Sequence, residues 1–240
     1  MAVFERGEVS LHYEIHGDGF PILLFAPGGL RSAIPFWRSA EWDPIDSLSP
    51  HFQVIAMDQR NAGESTAPVT AGDGWHTYTE DHLALLDHLG IDRTHLMGGC
   101  IGGPYCFGVI ERAPERVASA VLQQSIGSDG TNREIFFGIF DGWAEEMKAS
   151  MPSVSEAAWA SFRANMFDRD FVYNVSREFV AACETPLLVL MGNDPYHPEV
   201  VSREIADLAP NARLVERWKN PEADGTVATV LAFLTANTPG

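Results

Sequence analysis

A chain of 240 residues, 45% hydrophobic and 20% charged, has the balance of a folded protein rather than a disordered one. Its length suits one large domain or two small ones. Sixteen basic residues against thirty-three acidic ones leave a formal charge of −17, which argues against nucleic acid and against anionic lipid as partners.

Residues 9–15 alternate apolar and polar side chains, as a half-buried strand does. Apolar runs at 22–26 and 52–57 follow, and each ends at a glycine-rich or charged turn. Their continuity suits central parallel strands covered on both faces. Leu83, Leu85, Leu86 and Leu89 give one apolar stripe to a helix over 82–89, which Gly90 stops. A short strand at 95–98 runs into glycines, a helix fits 100–112, and 117–122 is a further apolar strand. This alternation predicts an α/β fold with a doubly wound, mostly parallel sheet.

The rhythm breaks over 125–183, where Trp, Phe, Met, Ala and Glu predict two or three inserted helices. It resumes with a strand at 186–191, a helix at 199–208, a strand at 213–216 and a last helix over 223–234. The expected organisation is one core built from 1–124 and 184–240, carrying a helical insertion at 125–183. No basic segment followed by an apolar run opens the sequence, so a secretory signal is not expected. The apolar stretches fall far short of the roughly 20 residues of a membrane helix. Cys100, Cys106 and Cys183 are too few and too scattered for a disulfide framework, which suggests free thiols and a cytoplasmic setting.

Gly98-Gly99-Cys100-Ile101-Gly102-Gly103 stands between a strand and a helix, the spacing G-x-nucleophile-x-G with Cys where Ser is usual. A nucleophile held in a strained strand-to-helix turn needs neighbours without side chains two positions away. The positive end of the following helix favours thiolate. A glycine-rich turn around a structural cysteine would read the same way. Asp58-Gln59-Arg60-Asn61-Ala62-Gly63-Glu64-Ser65, Pro27-Gly28-Gly29-Leu30, Ala113-Pro114-Glu115-Arg116-Val117 and Met191-Gly192-Asn193-Asp194-Pro195 then add up to a pattern. Together with the Cys100 turn they resemble the α/β-hydrolase family, in its capped branch. Asn61 departs from the family's usual Gly, and Pro27 stands where His is common. The Gly-x-Cys-Ile-Gly-Gly turn is similar to that of dienelactone hydrolases.

The resemblance implies an eight-stranded sheet with a helical cap at 125–183. It also implies Cys100 as nucleophile, Asp194 as the acid, and the amides of Ile101 and Gly29 as an oxyanion hole, with Leu30 the alternative if the loop is offset. The family's histidine lies on the loop after the last strand, but Trp218-Lys219-Asn220-Pro221-Glu222 contains none. Of eight histidines only His197 follows Cys100. Three readings stay open: His197 acts from the acid loop, His76 reaches in from the other side of the cleft, or a thiol works without a histidine base. His82, His88 and His95 read as polar-face or edge residues. Arg31 could grip a substrate carboxylate, and Phe137 and Trp143 of the insertion could roof an apolar pocket.

The expected activity is hydrolysis of a small apolar or aromatic ester, lactone or thioester. The alternative is a non-hydrolytic binding or sensing protein, or a lyase or cyclase. No metal and no cofactor are expected. The expected partner is a small-molecule substrate, and a homodimer is left open.

Overall fold

The computed structural model describes residues 2–220 and 223–240. Eight strands form one sheet in the order β1-β2-β4-β3-β5-β6-β7-β8. They are β1 Ala2–Arg6, β2 Val9–His16, β3 Pro21–Phe25, β4 Gln53–Met57, β5 Thr94–Gly99, β6 Val117–Gln123, β7 Leu187–Leu190 and β8 Ala212–Val215. The β1–β2 hairpin is antiparallel and β2 runs antiparallel to β4, while the pairings from β4 to β8 are parallel.

The period-2 pleat sorts each apolar run onto two faces. Leu23, Phe25, Ile55, Met57, Leu96 and Leu122 join one core with α3 Trp75–His88, α4 Gly102–Arg112 and α8 Glu199–Leu208. Ile22, Leu24, Val54, Ala56, Met97 and Val121 join the other, under α1 Pro35–Arg38, α2 Pro44–Leu48 and α9 Ala223–Ala236. Burial on both faces is why these runs carry no polar alternation.

Between β6 and β7 stand α5 Arg133–Lys148, α6 Glu156–Phe167 and α7 Arg177–Ala181. Ser155 and Ser176 accept backbone N–H groups at the starts of α6 and α7. Aromatic pairs bind the insertion together, among them Phe140 with Trp143 at 5.5 Å and Trp143 with Trp159 at 5.8 Å between ring centroids. Polar anchors tie it to the core. The Trp75 indole donates to Met166 O at 2.6 Å, and Asn165 Nδ2 donates to Asp73 O at 2.8 Å.

Several elements depart from the sequence expectation. β1 and the short helices α1 and α2 were not foreseen. α3 starts at Trp75 rather than at residue 82, because Gly74 ends the loop and its N–H donates to Thr77 Oγ1 at 3.1 Å. His82 and His95 are fully buried rather than on a polar face. His82 Nε2 meets Gln59 Oε1 at 2.7 Å and its ring lies 4.2 Å from Phe25, while His95 Nδ1 meets Ser119 Oγ at 2.8 Å. Pro221 and Glu222, at the end of the loop that lacks a histidine, lie outside the described residues.

Candidate active site

The sheet brings the ends of β3, β5 and β7 to one edge, with only β6 between β5 and β7. Ligands of open parallel sheets bind at this carboxyl edge, where the strand order reverses. Three loops follow these strands and carry residues singled out in the sequence: 26–34 after β3, the turn at Cys100 after β5, and 191–198 after β7.

Cys100 sits at φ 59, a left-handed conformation that costs a non-glycine residue energy. The surroundings fix it there. Its N–H donates to Gln123 O at 3.0 Å, and its C=O accepts from Ile126 N at 3.1 Å. The flanking glycines are required by contact: a Cβ on Gly98 would lie 2.0 Å from Gly102 O, and one on Gly102 would lie 2.4 Å from Phe25 O. The turn therefore folds α4 back across the end of β5, with the thiol at the helix start.

The loop after β7 is wound around one carboxylate. Asp194 Oδ1 accepts the N–H groups of Tyr196 at 2.9 Å and His197 at 3.0 Å. Asp194 Oδ2 stands 2.8 Å from His197 Nδ1. With Nδ1 held by the carboxylate, Nε2 is the free face of the ring. It is buried with no hydrogen-bond partner among the described residues, and the Cys100 thiol is a neighbour whose charge favours the protonated ring.

Electrostatics follow from this row. Burial alone would raise the Cys100 thiol, but the His197 ring and the amides of Gly28 and Ile101 outweigh it, and the thiol ends below its ordinary value. Burial alone would lower His197, but Cys100 and Asp194 outweigh it and hold the imidazole above its ordinary value. Asp194 is lowered, with His197 overcoming its partial burial. Burial pushes the Cys106 and Cys183 thiols up instead, so the three cysteines differ in character.

Of the loop amides after β3, that of Gly28 favours the Cys100 thiolate. Gly29 opens a short 3-10 helix, Gly29–Arg31, and faces the Ile139 methyl. Arg31 does not point free into the cleft, because its Nε and Nη2 hold Glu146 of α5 at 2.9 and 2.7 Å. His76 is exposed on the first turn of α3, placed by the early helix start in a separate groove between α3 and the end of α6. Phe137 is half-buried under the Arg163 guanidinium at 4.7 Å, and Trp143 is buried with its indole donating to Asn61 O at 3.3 Å. Asn61 takes a left-handed φ of 58, which Asn tolerates better than other side chains, and its side chain accepts Ala67 N–H at 2.8 Å. Among the described residues no group of three or more His, Cys, Asp or Glu is placed to hold a metal ion, and no helix is long and apolar enough to cross a membrane.

An eight-stranded sheet of this order, with a strained strand-to-helix turn on its central strand, defines a hydrolase-type scaffold. The model of the alpha/beta hydrolase fold matches residues 21–169, more than half of the chain, and the protein belongs to that family. It is 35% identical to a protein bearing the name carbamate hydrolase RutD from Azorhizobium caulinodans, over 57% of this chain and 49% of that protein. The same name is carried by a Variovorax paradoxus protein, 36% identical over 48% of this chain and 42% of its own. The matches thus span about half the length of these relatives. The enol-lactonase of Burkholderia xenovorans LB400 superposes with a TM-score of 0.73 at 23% identity, covering 98% of this chain and all of that one, which shows a shared fold.

Proposed function

We propose that the protein hydrolyses an ester, lactone or thioester of a small apolar or aromatic substrate, with Cys100 as nucleophile and His197 and Asp194 as base and acid. The observation that carries this reading is the row from Asp194 Oδ2 through His197 to the Cys100 thiol, with the ring oriented at Nδ1 by the carboxylate. The thiolate attacks the carbonyl carbon, and the Gly28 and Ile101 amides take the oxyanion that forms. The His197 imidazolium gives its Nε2 proton to the leaving oxygen or sulfur as the C–O or C–S bond breaks. The acyl-thioenzyme is then attacked by water, which loses its proton to the now neutral imidazole, and the thiolate departs with the acid as product. The insertion between β6 and β7 acts as a cap, with Ile139 of α5 set against Gly29 of the oxyanion loop.

Mixing the protein with p-nitrophenyl esters of short and medium chain tests this. The expected result is turnover with an acyl mass adduct on Cys100. The rate falls about a thousandfold or more in Cys100→Ala, and about a hundred- to ten-thousandfold in His197→Ala. The pH profile has a defined sign. The active ion pair forms as pH rises through the lowered thiol value and is lost as pH rises through the raised imidazolium value, giving a plateau between them. A folded protein with neither turnover nor adduct would overturn the reading and favour a binding role.

A further inference from the structure

We infer that the substrate is uncharged around its scissile bond, and that the site rejects an acyl group bearing a carboxylate. The inference rests on the hydrolase reading above and names its substrate class. Among the described residues, Arg31 and Arg60 on the loops after β3 and β4 and Lys219 on the loop after β8 are already engaged within the protein. Arg31 closes two bonds on Glu146. Arg60 is buried with Nε 2.7 Å from Asp81 and Nη1 3.9 Å from Asp73, and Arg6 reaches the same Asp81 at 2.7 Å, so two guanidinium groups balance two carboxylates. Lys219, tied to the acid loop, donates to Asn193 Oδ1 at 2.9 Å and lies over the Trp218 ring.

An incoming carboxylate could displace Glu146 from Arg31, since that pair is partly exposed. Glu146 is tethered to α5, however, and would stay beside the newcomer as a like charge. The apolar groups around the oxyanion loop offer nothing to an anion. The Phe36 ring comes within 3.0 Å of the Cβ position of Gly28, and Ile139 within 3.1 Å of that of Gly29. The Asp194 carboxylate is one-third exposed and adds negative charge, as does the overall −17. A carboxylate on the acyl group, with the Gly28 and Ile101 amides taken by the carbonyl oxygen, would lose water beside these apolar groups without gaining a partner, and the field of the molecule would oppose its approach.

The test uses three p-nitrophenyl esters of equal reach: the hexanoate, the adipate monoester with a terminal carboxylate, and the adipate capped as its methyl ester. The hexanoate and the capped adipate should be turned over, with kcat/KM for the free adipate at least about fiftyfold lower. The gap should narrow as ionic strength rises from about 0.05 to about 0.5 M, because salt screens the field. Turnover of the free adipate equal to that of its methyl ester would overturn the inference while leaving the hydrolase reading intact. A selective loss of adipate turnover in Arg31→Gln would overturn it as well, by making Arg31 a substrate ligand. Failure of all three esters would remove the hydrolase reading, and this inference with it.

Discussion

Residue 197 reaches the thiol because the loop after β7 folds back on itself within a few residues. Gly192 makes that possible: a Cβ there would lie 2.3 Å from His197 O and 2.6 Å from His197 Cβ. Its N–H is held by Ser202 Oγ at 3.0 Å, which fixes the loop to α8. Gly192→Ala should therefore push His197 off the thiol without touching Cys100. The expected outcome is a fall in kcat of about ten- to a hundredfold with KM little changed, and a rise in the pH at which Cys100 alkylates. Steady-state kinetics and an iodoacetamide rate profile check this, and wild-type values in both would show that the loop has slack. Asp194 and His197 were legible in the sequence as types three positions apart. Their contact was not, since it depends on the carboxylate gathering two amides and a ring. Gly28 was not singled out for a similar reason: nothing in Pro27-Gly28-Gly29-Leu30 says which N–H faces the thiol.

Helix α5 meets the oxyanion loop and the Asn61 turn through unequal contacts. The Arg31–Glu146 pair has side chains 37% and 63% exposed, so solvent screens it and Arg31→Ala should change unfolding free energy by less than about 1 kcal/mol. Trp143 is 1% exposed among Phe140, Trp159 and Phe162 and donates to Asn61 O. Trp143→Ala should cost about 3–5 kcal/mol through lost burial and the cavity left behind. Urea unfolding of the two variants separates them, and equal losses would contradict the ranking. The aromatic residues of the insertion were readable as a helical stripe. Which of them pack inward and which face a substrate was not, because that depends on how α5 is rotated against α6 and the core.

Across the molecule, buried imidazoles link folding to pH. Burial, with Arg60 nearby, lowers His82 to about 3, and burial, with Arg93 nearby, lowers His95 to about 4. Above the ordinary value near 6.5 both are neutral folded or unfolded, so their contribution is intact. As pH falls from about 6.5 towards those lower values, the unfolded chain takes protons that the folded chain refuses, and stability is lost. His95 alone accounts for a few kcal/mol of that loss, by the linkage of about 1.4 kcal/mol per unit. Thermal melts between about pH 7 and pH 4 should show the drop, and His95→Gln should make it shallower. An unchanged slope in His95→Gln would place the acid sensitivity elsewhere.

The sequence by itself determined the architecture. Continuous apolar runs require strands covered on both faces, and the glycines around Cys100 require a turn that a side chain would block. The antiparallel β1 and the burial of His82 and His95 were decided by long-range partners: the β2 ladder, Gln59, and the pairing of β5 with β6, while the early start of α3 rests on the local contact of the Gly74 N–H with Thr77. The same holds at the site. A histidine absent from the loop after β8 looked like a missing base, because sequence distance gives no measure of reach. Only the folded sheet, which sets β7 two strands from β5, brings His197 against the thiol.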